Sequence, residues 1–408
     1  MGVLIKPIEK YYEELEDEVR GALDDCINKL VKIKESGGNI VVATGSGPNI
    51  HEGVTTLIAE LIKKGVIDGV ITSSAVIAHE LAGTLDRVKR VDGKKLGLST
   101  DFLPRGDVFE FTQMTAEEIE KLEREMVIDK ELIKKGENLE GDIIIKAAGN
   151  VAYPMGLRTE RISREILSVS LAYGLPFELV AGFGCDQRTM LGIGAEKNIP
   201  VMVSVPQLIG GGTVGLSIGD SIPISERCMR IALLLEKADA VIESAVALTQ
   251  EIHDGPFECY TGHGIWPNWD GYRTYSLKEK VLVRIDLDVN LKDAWIKERE
   301  GGMVQKSINM GKPKTKVLGV PFRMEMSGFA RLEQSVPIVG DIGVIWPIMA
   351  WKICEALNIS LDFISYPQES EEGKKMREWI VENVKPFDKE TFLEKTKNGL
   401  PIIREGRK

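Results

Sequence analysis

The chain has 408 residues, of which 43% are apolar and 28% are charged, and its formal net charge is -10. Lys and Arg are interspersed among Asp and Glu, and no basic patch carries interleaved aromatic residues, so the composition argues against a nucleic-acid-binding surface. The five cysteines form neither a CxxC pair nor a metal-ligand spacing. Because of this cysteine spacing, we expect neither a disulfide framework nor a metal centre. No window approaches about 18 uninterrupted apolar residues, so we expect no membrane span. The first residues turn acidic and helical too early for a signal peptide, and we expect a cytoplasmic location.

The order of elements predicted along the chain is typical of an α/β protein. Residues 11–36 predict an amphipathic helix, and GGNIVVATGS (37–46) predicts a turn followed by a buried strand. HEGVTTLIAELIKKG (51–65) predicts a helix, and VIDGVITSS (66–74) a second strand. A strand, a crossover helix and a second strand in this order form a right-handed βαβ unit with parallel strands.

Further apolar runs predict the rest of the sheet. They are found at 142–149, 176–184, 200–208, 238–248 and 280–289. Continuous Val, Ile and Ala without strict alternation favours strands that are covered on both faces. The predicted fold is therefore a doubly wound, mostly parallel, Rossmann-like α/β sheet with a large insertion.

Two stretches interrupt this pattern. Residues 84–140 contain a loop and a charged helix, and residues 256–335 are rich in Trp, Tyr, Gly and Lys. Because long structured insertions near strand ends are often functional lids, we predict three parts. These are a cofactor-binding core at 1–255, a lid over the crevice at 256–335, and a segment at 336–408 that completes the core.

All four histidines, His51, His79, His253 and His263, follow predicted strands at polar or glycine-containing turns. The carboxyl ends of the strands form the ligand crevice of a parallel α/β sheet, where an imidazole can transfer protons near neutral pH. The pattern favours an enzyme. The alternative for each histidine is a hydrogen-bonded structural group.

Three further features indicate a nucleotide site. The turn at 44–53 follows a buried strand and contains small residues, which let the backbone approach a phosphate closely. The triple glycine at 210–212 would allow a ligand to approach the backbone there. Asp286, near a strand end, can accept ribose hydroxyls, which favours NAD over its phosphorylated form. The alternative for the turn at 44–53 is a tight turn without a ligand, for the triple glycine a flexible hinge, and for Asp286 a solvated acid. Asp341 can cap the following helix with no functional role.

Several stretches resemble the deoxyhypusine synthase superfamily, which includes the LOR/SDH-type NAD-dependent ornithine cyclodeaminase domain of archaea and cyanobacteria. They are residues 44–74, the triple glycine, ADAVIESAVALTQEIHDG (238–255) and DIGVIWP (341–347). SAVIAHE (74–80) and GLPFELVAGFGCDQ (174–187) are similar to the cyclodeaminase side of the superfamily.

The resemblance implies an NAD-dependent homotetramer and, together with the motifs above, a set of site residues. We predict acid–base roles for His79, His253 and Asp254, and contact of Glu80 and Glu325 with a substrate ammonium. The predicted cofactor contacts are Gly45, Ser46, Asn49, Thr72, Ser73, Ser74, Gly210, Gly211, Gly212, Thr249, Asp286 and Asp341.

One departure from the superfamily concerns a lysine. Deoxyhypusine synthases carry a lysine that forms an imine with the aminobutyl group, and the matching stretch of this chain, 325–331, ends in Arg331. Arginine remains charged and cannot act as an amine nucleophile. On this match the chain cannot use the covalent route of the synthases, unless Lys278 or Lys280 substitutes.

The sequence therefore predicts an enzyme that uses NAD to oxidise a small amine or amino acid transiently to an imine. The alternatives are aminobutyl transfer, as in deoxyhypusine or homospermidine synthesis, and a nucleotide-binding regulatory protein without turnover. The expected partners are a small-molecule substrate and further copies of the chain, without nucleic acid or membrane.

Overall fold

The computed structural model describes residues 2–45, 47–149, 152–208, 211–244, 277, 279–313, 316, 319 and 333–400. In these ranges the strands are β1 (Ile40–Thr44), β2 (Gly69–Thr72), β3 (Leu85–Asp92), β4 (Val108–Thr112), β5 (Gly141–Ala147), β6 (Val201–Val203), β7 (Ala240–Ser244), β8 (Val281–Asp286) and β9 (Ser335–Val339). The helices are α1 (Lys6–Glu14), α2 (Asp17–Glu35), α3 (Pro48–His51), α4 (Val54–Lys63), α5 (Ser74–Leu81), α6 (Ala116–Glu125), α7 (Lys130–Asn138), α8 (Met155–Tyr173), α9 (Phe177–Gly182), α10 (Met190–Lys197), α11 (Gly212–Ser221), α12 (Ile224–Lys237), α13 (Asn290–Gly301), α14 (Met303–Asn309), α15 (Ile342–Ala356), α16 (Glu371–Asn383) and α17 (Lys389–Thr396).

The main sheet has six parallel strands in the order β6-β2-β1-β7-β8-β9. Counted along the chain among themselves, these strands lie in the order 3-2-1-4-5-6, which is the order of doubly wound dinucleotide-binding folds. Their residues and those of the flanking helices form one large apolar core. The predicted Rossmann-like α/β fold is therefore confirmed.

Local sequence explains why the first βαβ unit forms. All five residues of β1 and all four of β2 are buried, as their continuous apolar runs predict. Nine of the ten residues of α4 are buried, so this helix packs in the interior of the molecule. Gly65, which follows α4 with φ +76, ends the helix in the left-handed conformation that glycine adopts without strain.

A second, smaller sheet contains three antiparallel strands in the order β4-β3-β5. The run at 142–149 was expected in the main sheet, but it forms β5 of this separate sheet. The small sheet has its own apolar cluster, formed by Val91, Leu96, Phe111 and Ile133. Residues 85–147 thus form a unit beside the main sheet, in a region where the sequence predicted only a loop, a charged helix and one strand of the main sheet.

Two other predicted elements differ in the structure. The run at 176–184 was expected to be a strand but contains helix α9, because a short apolar run has the same composition in a buried strand and a buried helix. The single helix expected at 11–36 is divided into α1 and α2 by Leu15, whose backbone is extended.

The lid predicted at 256–335 also needs a correction. Residues 281–286 lie inside it, but they form β8, which pairs with β7 and β9 in the main sheet. The sequence at 280–289 has the continuous apolar pattern of a core strand, and that pattern determines its place. Residues 256–276 lie outside the described part of the chain, so a lid there stays a prediction.

A buried ion pair fixes the carboxyl end of β6. Arg227 and Glu178 have fully buried side chains, and Arg227 Nη1 lies 2.5 Å from Glu178 Oε1. Arg227 also donates to the backbone oxygens of Val203 and Ile218, at 3.1 and 2.8 Å, while Glu178 Oε1 accepts from the backbone nitrogen of Val203 at 2.8 Å. These bonds join α9, α11, α12 and β6, and they hold the strand end that leads to the triple glycine.

Among the helices in the described ranges, none combines the length and apolarity that a membrane crossing requires.

Replacing Arg227 with Ala would leave the Glu178 carboxylate buried without its guanidinium. We expect Arg227→Ala to lower the free energy of unfolding by about 3–5 kcal/mol, measured by denaturant titration. Arg230 on the same helix forms an exposed pair with Glu226, so Arg230→Ala is the matched control and should cost about 0.3–0.5 kcal/mol. Similar losses in both variants would contradict the assignment of Arg227 as a core-fixing residue.

Candidate functional site

The order of the main sheet reverses between β1 and β7. Strands β2 and β6 extend the sheet on the β1 side, and β8 and β9 extend it on the β7 side. Thr44 and Ser244 end the two central strands and are paired in register. In open parallel α/β sheets, ligands bind outside the carboxyl ends of the strands at such a reversal point. The candidate site is therefore the carboxyl edge around Thr44 and Ser244.

Three buried side chains hold the two central strands together at this edge. Asn49 Nδ2 donates to the backbone oxygen of Ser244 at 2.7 Å, and Ser244 Oγ donates to Asn49 Oδ1 at 2.6 Å. Trp346 Nε1, from α15, donates to Ser244 Oγ at 2.7 Å. Asn49 is 0% exposed, so its side chain has a structural role at the reversal point, whereas the sequence predicted a direct cofactor contact.

The turn after β1 depends on one glycine. Gly47 has φ +65 and ψ -110, a conformation that residues with a side chain rarely adopt. A Cβ at Gly47 would meet no atom within 4 Å, so the backbone conformation requires glycine there and the space beside it is open. Gly45 is buried, and Ser46 lies outside the described residues.

The hydroxyl groups after β2 all have protein partners. Thr72 Oγ1 donates to the backbone oxygen of Thr44 at 2.8 Å, and Ser74 Oγ donates to that of Gln207 at 3.1 Å. Ser73 caps α5 and accepts from the Val76 nitrogen at 3.4 Å. Ser73 is half-buried, while Thr72 and Ser74 are fully buried. Of these three, Ser73 is the one that remains exposed to the crevice edge.

The glycines at 211 and 212 are explained by protein packing. A Cβ at Gly211 would lie 2.5 Å from Ser74 Oγ, and one at Gly212 would lie 2.6 Å from Glu160 Oε1. The close approach that glycine permits is thus made by this chain, and these two positions do not require a ligand. Gly210 lies outside the described residues, and its predicted cofactor contact stays a prediction.

His79 lies in helix α5 and not at the end of a strand. The VIAHEL segment forms a helix because Ser73 caps its start directly after β2. The imidazole is 4% exposed, and its Nδ1 lies 2.7 Å from the backbone oxygen of Ala148. Because a carbonyl oxygen only accepts, we assign the proton to Nδ1, which leaves Nε2 as an acceptor. Burial lowers the pKa of His79, so its neutral form is favoured near pH 7.

A second histidine, His51, ends helix α3 at the same edge. Its Nδ1 lies 3.4 Å from Arg377 Nη2, and the same Nη2 donates to the backbone oxygen of Ile145 in β5. Burial lowers the pKa of His51, and the charges of Arg377 and Lys146 lower it further. Lys146 also lowers the pKa of His79. The small sheet and α16 therefore bring two cations to the two histidines.

Glu52 is a buried acid next to this group. It is 4% exposed, and its Oε2 accepts from the backbone nitrogen of Gln368 at 2.7 Å. Burial raises the pKa of Glu52 to about 7, and the charges of Asp341 and Glu369 act in the same direction. At neutral pH this carboxyl group can both donate and accept a proton. The sequence analysis did not select Glu52, Lys146 or Arg377.

Glu80 has a helix-capping role. It is 1% exposed, and its two oxygens accept from the backbone nitrogens of Met190 and Leu191 at 2.9 and 3.0 Å. Both nitrogens belong to the first turn of α10, where backbone donors have no partner within the helix. The geometry argues against the predicted contact of Glu80 with a substrate ammonium.

The two predicted aspartates lie after β8 and β9 at the same edge. Asp286 ends β8, and its Oδ1 accepts from the Asp288 nitrogen at 3.0 Å. Asp341 caps α15, with Oδ1 accepting from the Gly343 nitrogen at 2.8 Å. Asp341 thus has the capping role that the sequence left open, and cofactor contacts for both aspartates stay predictions.

Of the two lysines that could replace the imine-forming lysine of the synthases, the described residues include Lys280. Lys280 precedes β8, so it lies at the amino edge of the sheet, where it donates to the backbone oxygens of Glu236 and Ala238. It is therefore at the opposite edge from the histidines and cannot serve as an amine nucleophile beside them. Lys278 and Arg331 lie outside the described residues. Besides Ser46 and Gly210, four further predicted site residues also lie outside them: His253, Asp254, Thr249 and Glu325.

A cavity of about 1230 Å³ lies away from this edge. Residues of the small sheet, such as Asp86 and Thr112, line one side, and residues near the C-terminus, such as Trp379 and Phe387, line another. None of the predicted site residues lines it. Burial raises the pKa of Asp86 to about 6. We place the candidate site at the carboxyl edge, because the strand reversal and His51 are found there and His79 interacts with the charge of His51.

No protein-family model matches the chain, and no curated protein matches it. Among solved structures it is similar to the ternary complex of AgrE with ornithine and NAD+, with 13% identity, a TM-score of 0.42, and coverage of 85% of this chain and 34% of AgrE. It is also similar to apo ArgZ, an arginine dihydrolase from the ornithine-ammonia cycle in cyanobacteria, with 12% identity, a TM-score of 0.38 and coverage of 83% and 32%. A LOR/SDH protein from Methanococcus maripaludis S2 matches with 11% identity, a TM-score of 0.38 and coverage of 85% and 72%.

The chain thus spans about a third of the length of AgrE and ArgZ. Its fold is assigned from its own strand order, and these similarities assign no residue roles. They do not support the resemblance to deoxyhypusine synthases, which stays a prediction.

The burial of Glu80 predicts a pH dependence of stability. Burial raises the pKa of Glu80 from 4.5 to about 7, so between these values the folded state holds a proton that the unfolded chain releases. The stabilisation linked to this proton is present below pH 4.5 and is lost as the pH rises to about 7. We expect Glu80→Gln to have a shallower decrease of unfolding free energy over this range than the wild type, measured by denaturant titration at several pH values.

Exposed Glu120→Gln is the control for removing one acidic charge, and its pH slope should match that of the wild type. An unchanged slope in Glu80→Gln would show that Glu80 binds no additional proton on folding.

Proposed function

We propose that this chain is an NAD-dependent enzyme that converts a small amine or amino acid through transient oxidation to an imine. The observation that carries the proposal is the reversal of strand order between β1 and β7, with a positive-φ glycine turn after the first of these strands. This combination of strand order and first turn is the one that dinucleotide-binding folds use for the cofactor.

The residues at the reversal point fit a dinucleotide in part. The open space beside Gly47 lets a pyrophosphate approach the backbone of the turn. Many dinucleotide-binding turns have the pattern G-x-G-x-x-G. Here Gly45 and Gly47 match its first two glycines, and Ile50 stands in place of the third. Ile50 is fully buried, so apolar packing replaces the usual contact of the third glycine. Ser73 follows β2, where many dinucleotide-binding proteins have an acid for the ribose hydroxyls, and its hydroxyl is the corresponding polar group here. When bound, NAD would supply the hydride acceptor.

His79 is the acid–base residue that the geometry supports best. Its neutral form is favoured near pH 7, and the contact of Nδ1 with the Ala148 oxygen fixes the ring so that Nε2 can accept a proton. A proton acceptor of this kind is what the oxidation of an amine to an imine requires. His253, Asp254 and Glu325 stay part of the proposal, but they lie outside the described residues.

The choice of an amine or amino acid as substrate rests on the resemblance of residues 74–80 and 174–187 to the cyclodeaminase side of the superfamily. The competing aminobutyl transfer needs an amine nucleophile at the carboxyl edge, and Lys280 is held at the amino edge. This position excludes Lys280 as that nucleophile, and Lys278 lies outside the described residues.

Gly47 provides a test of cofactor binding. Ala at φ +65 would be strained by about 1–3 kcal/mol, and the turn would have to change its shape. We expect Gly47→Ala to weaken NAD+ binding at least about tenfold in isothermal titration calorimetry. Gly65 has a similar φ of +76 and equally open space, but it lies at the amino edge of the sheet.

Gly65→Ala is therefore the matched control, which should lose similar stability and bind NAD+ with the wild-type affinity. Absence of NAD+ binding by the wild type would contradict the proposed function itself. Equal losses of NAD+ affinity in the two variants would show that the cofactor does not bind at the turn after β1.

His79 provides a test of the chemistry. Asn can keep the hydrogen bond to the Ala148 oxygen but cannot accept a proton, so His79→Asn should remain folded. We expect its kcat for product formation from a responding amino acid or amine, in which NAD+ takes the hydride and returns it, to fall by about 10²–10⁴. Because burial lowers the pKa of His79, the wild-type rate should decline only at a pH below 6.5, the ordinary value. A folded His79→Asn variant with the wild-type kcat would exclude the acid–base role.

A further inference from the structure

Arg377 is a half-buried cation that forms no ion pair with a carboxylate in the described part of the chain. Its Nη2 donates to the backbone oxygen of Ile145 and lies 3.4 Å from His51 Nδ1. Its Nε is buried and has no hydrogen-bond partner among the described residues. No described carboxylate lies within ion-pair distance of the guanidinium. A guanidinium has five N–H donors, so most of the hydrogen-bonding capacity of Arg377 is unused.

Three acids act on Arg377 through their charge: Glu369 is exposed and lies beyond ion-pair distance, and the other two are engaged elsewhere. Glu52 accepts from the Gln368 nitrogen, and Glu378 is paired with Arg87. Burying a charge without a direct partner is costly, and native proteins usually pair such a charge or bind an ion with it. Burial lowers the pKa of Arg377, which is the electrostatic sign of this incomplete compensation.

A second cation lies close to the same point. Lys146 is adjacent to Ile145 in β5, and its Nζ lies 2.7 Å from Glu110 Oε2. Its charge reaches both His51 and His79. The carboxyl edge thus has one side with two cations and two histidines.

We propose that Arg377, together with His51, forms a subsite that binds an oxyanion of the ligand at the carboxyl edge. The inference rests on the proposed function in one respect, namely that the ligand occupies the crevice between β1 and β7. Nη2 is engaged by Ile145 and His51 and Nε is buried, so Nη1 is the donor that can reach a ligand. Guanidinium groups bind carboxylate and phosphate oxygens through charge-assisted hydrogen bonds. The oxyanion is either a carboxylate of the substrate or a phosphate of the cofactor.

Two pairs of probes distinguish these sources. L-ornithine and putrescine differ by one carboxylate, and 5′-AMP and adenosine differ by one phosphate. Binding of all four to the full chain is measured by calorimetry for the wild type, Arg377→Gln and Arg377→Lys. Arg87→Gln is the matched control, because Arg87 is an exposed arginine that pairs with Glu378 of the same helix.

We expect the wild type to bind one oxyanion-bearing probe about ten- to a hundredfold more tightly than its counterpart, as charge-assisted hydrogen bonds of about 1.5–3 kcal/mol predict. Arg377→Gln should lose this preference, Arg377→Lys should keep a part of it, and Arg87→Gln should keep all of it. Loss of the ornithine preference identifies a carboxylate, and loss of the 5′-AMP preference identifies a phosphate.

The proposal is overturned if the wild type shows neither preference, or if Arg377→Gln retains the preference that the wild type shows. Failure of the proposed function would give a different result, namely no binding of NAD+ to the wild type. Far-UV circular dichroism checks that Arg377→Gln is folded. If Arg377→Gln does not fold, Arg377→Lys is used for the test, because lysine keeps the charge and can still donate to the Ile145 oxygen.

Discussion

The hydrogen bonds among Asn49, Ser244 and Trp346 determine the geometry on which the rest of the site depends. They join the turn after β1 to the end of β7 and to helix α15, so three distant segments meet at the reversal point of the sheet. All three side chains are buried, and buried hydrogen-bonded networks fix a single arrangement because any unpaired member is costly. These bonds therefore fix the relative positions of the ends of β1 and β7 and of α15 at this edge.

The chemistry of this edge comes from outside the main sheet. Ile145 lies in β5 of the small sheet and Ala148 directly follows that strand, and their backbone oxygens accept hydrogen bonds from Arg377 and His79, respectively. Lys146 lies between them and shifts the pKa of both histidines. Burial is the main cause of the lowered pKa of His79, and the charge of Lys146 from the small sheet acts in the same direction. The two parts have separate apolar clusters, but Leu85, Ile145 and Ala147 of the small sheet also pack in the main core, so the two parts are joined by apolar contacts.

The sequence predicted the fold best where local and global preferences agree. The strands at 40–44, 69–72, 240–244 and 281–286 were predicted because continuous β-branched runs are typical of a doubly covered parallel sheet. The helix at Phe177–Gly182 was missed because its composition fits both states, and only its tertiary contacts decide between them. The small sheet was missed because an apolar run such as 142–149 does not reveal its pairing partner.

The site was predicted only in part for a related reason. Asn49 and His79 were both selected from the sequence. Asn49 lies at the reversal point, whereas His79 lies in the last turn of α5 and is linked to that edge only through the charge of His51. Arg377 reaches His51 across 326 positions of sequence, a contact that no motif records. The glycines at 211 and 212 show the converse case, since their conformational signal is real but is explained by Ser74 and Glu160 of the same chain.

The most direct test of the central claim is a crystal structure of the full chain with NAD+. The account predicts cofactor density across the carboxyl ends of β1 and β7, with the phosphates beside Gly47. Density confined to the cavity lined by Asp86 and Trp379 would contradict it.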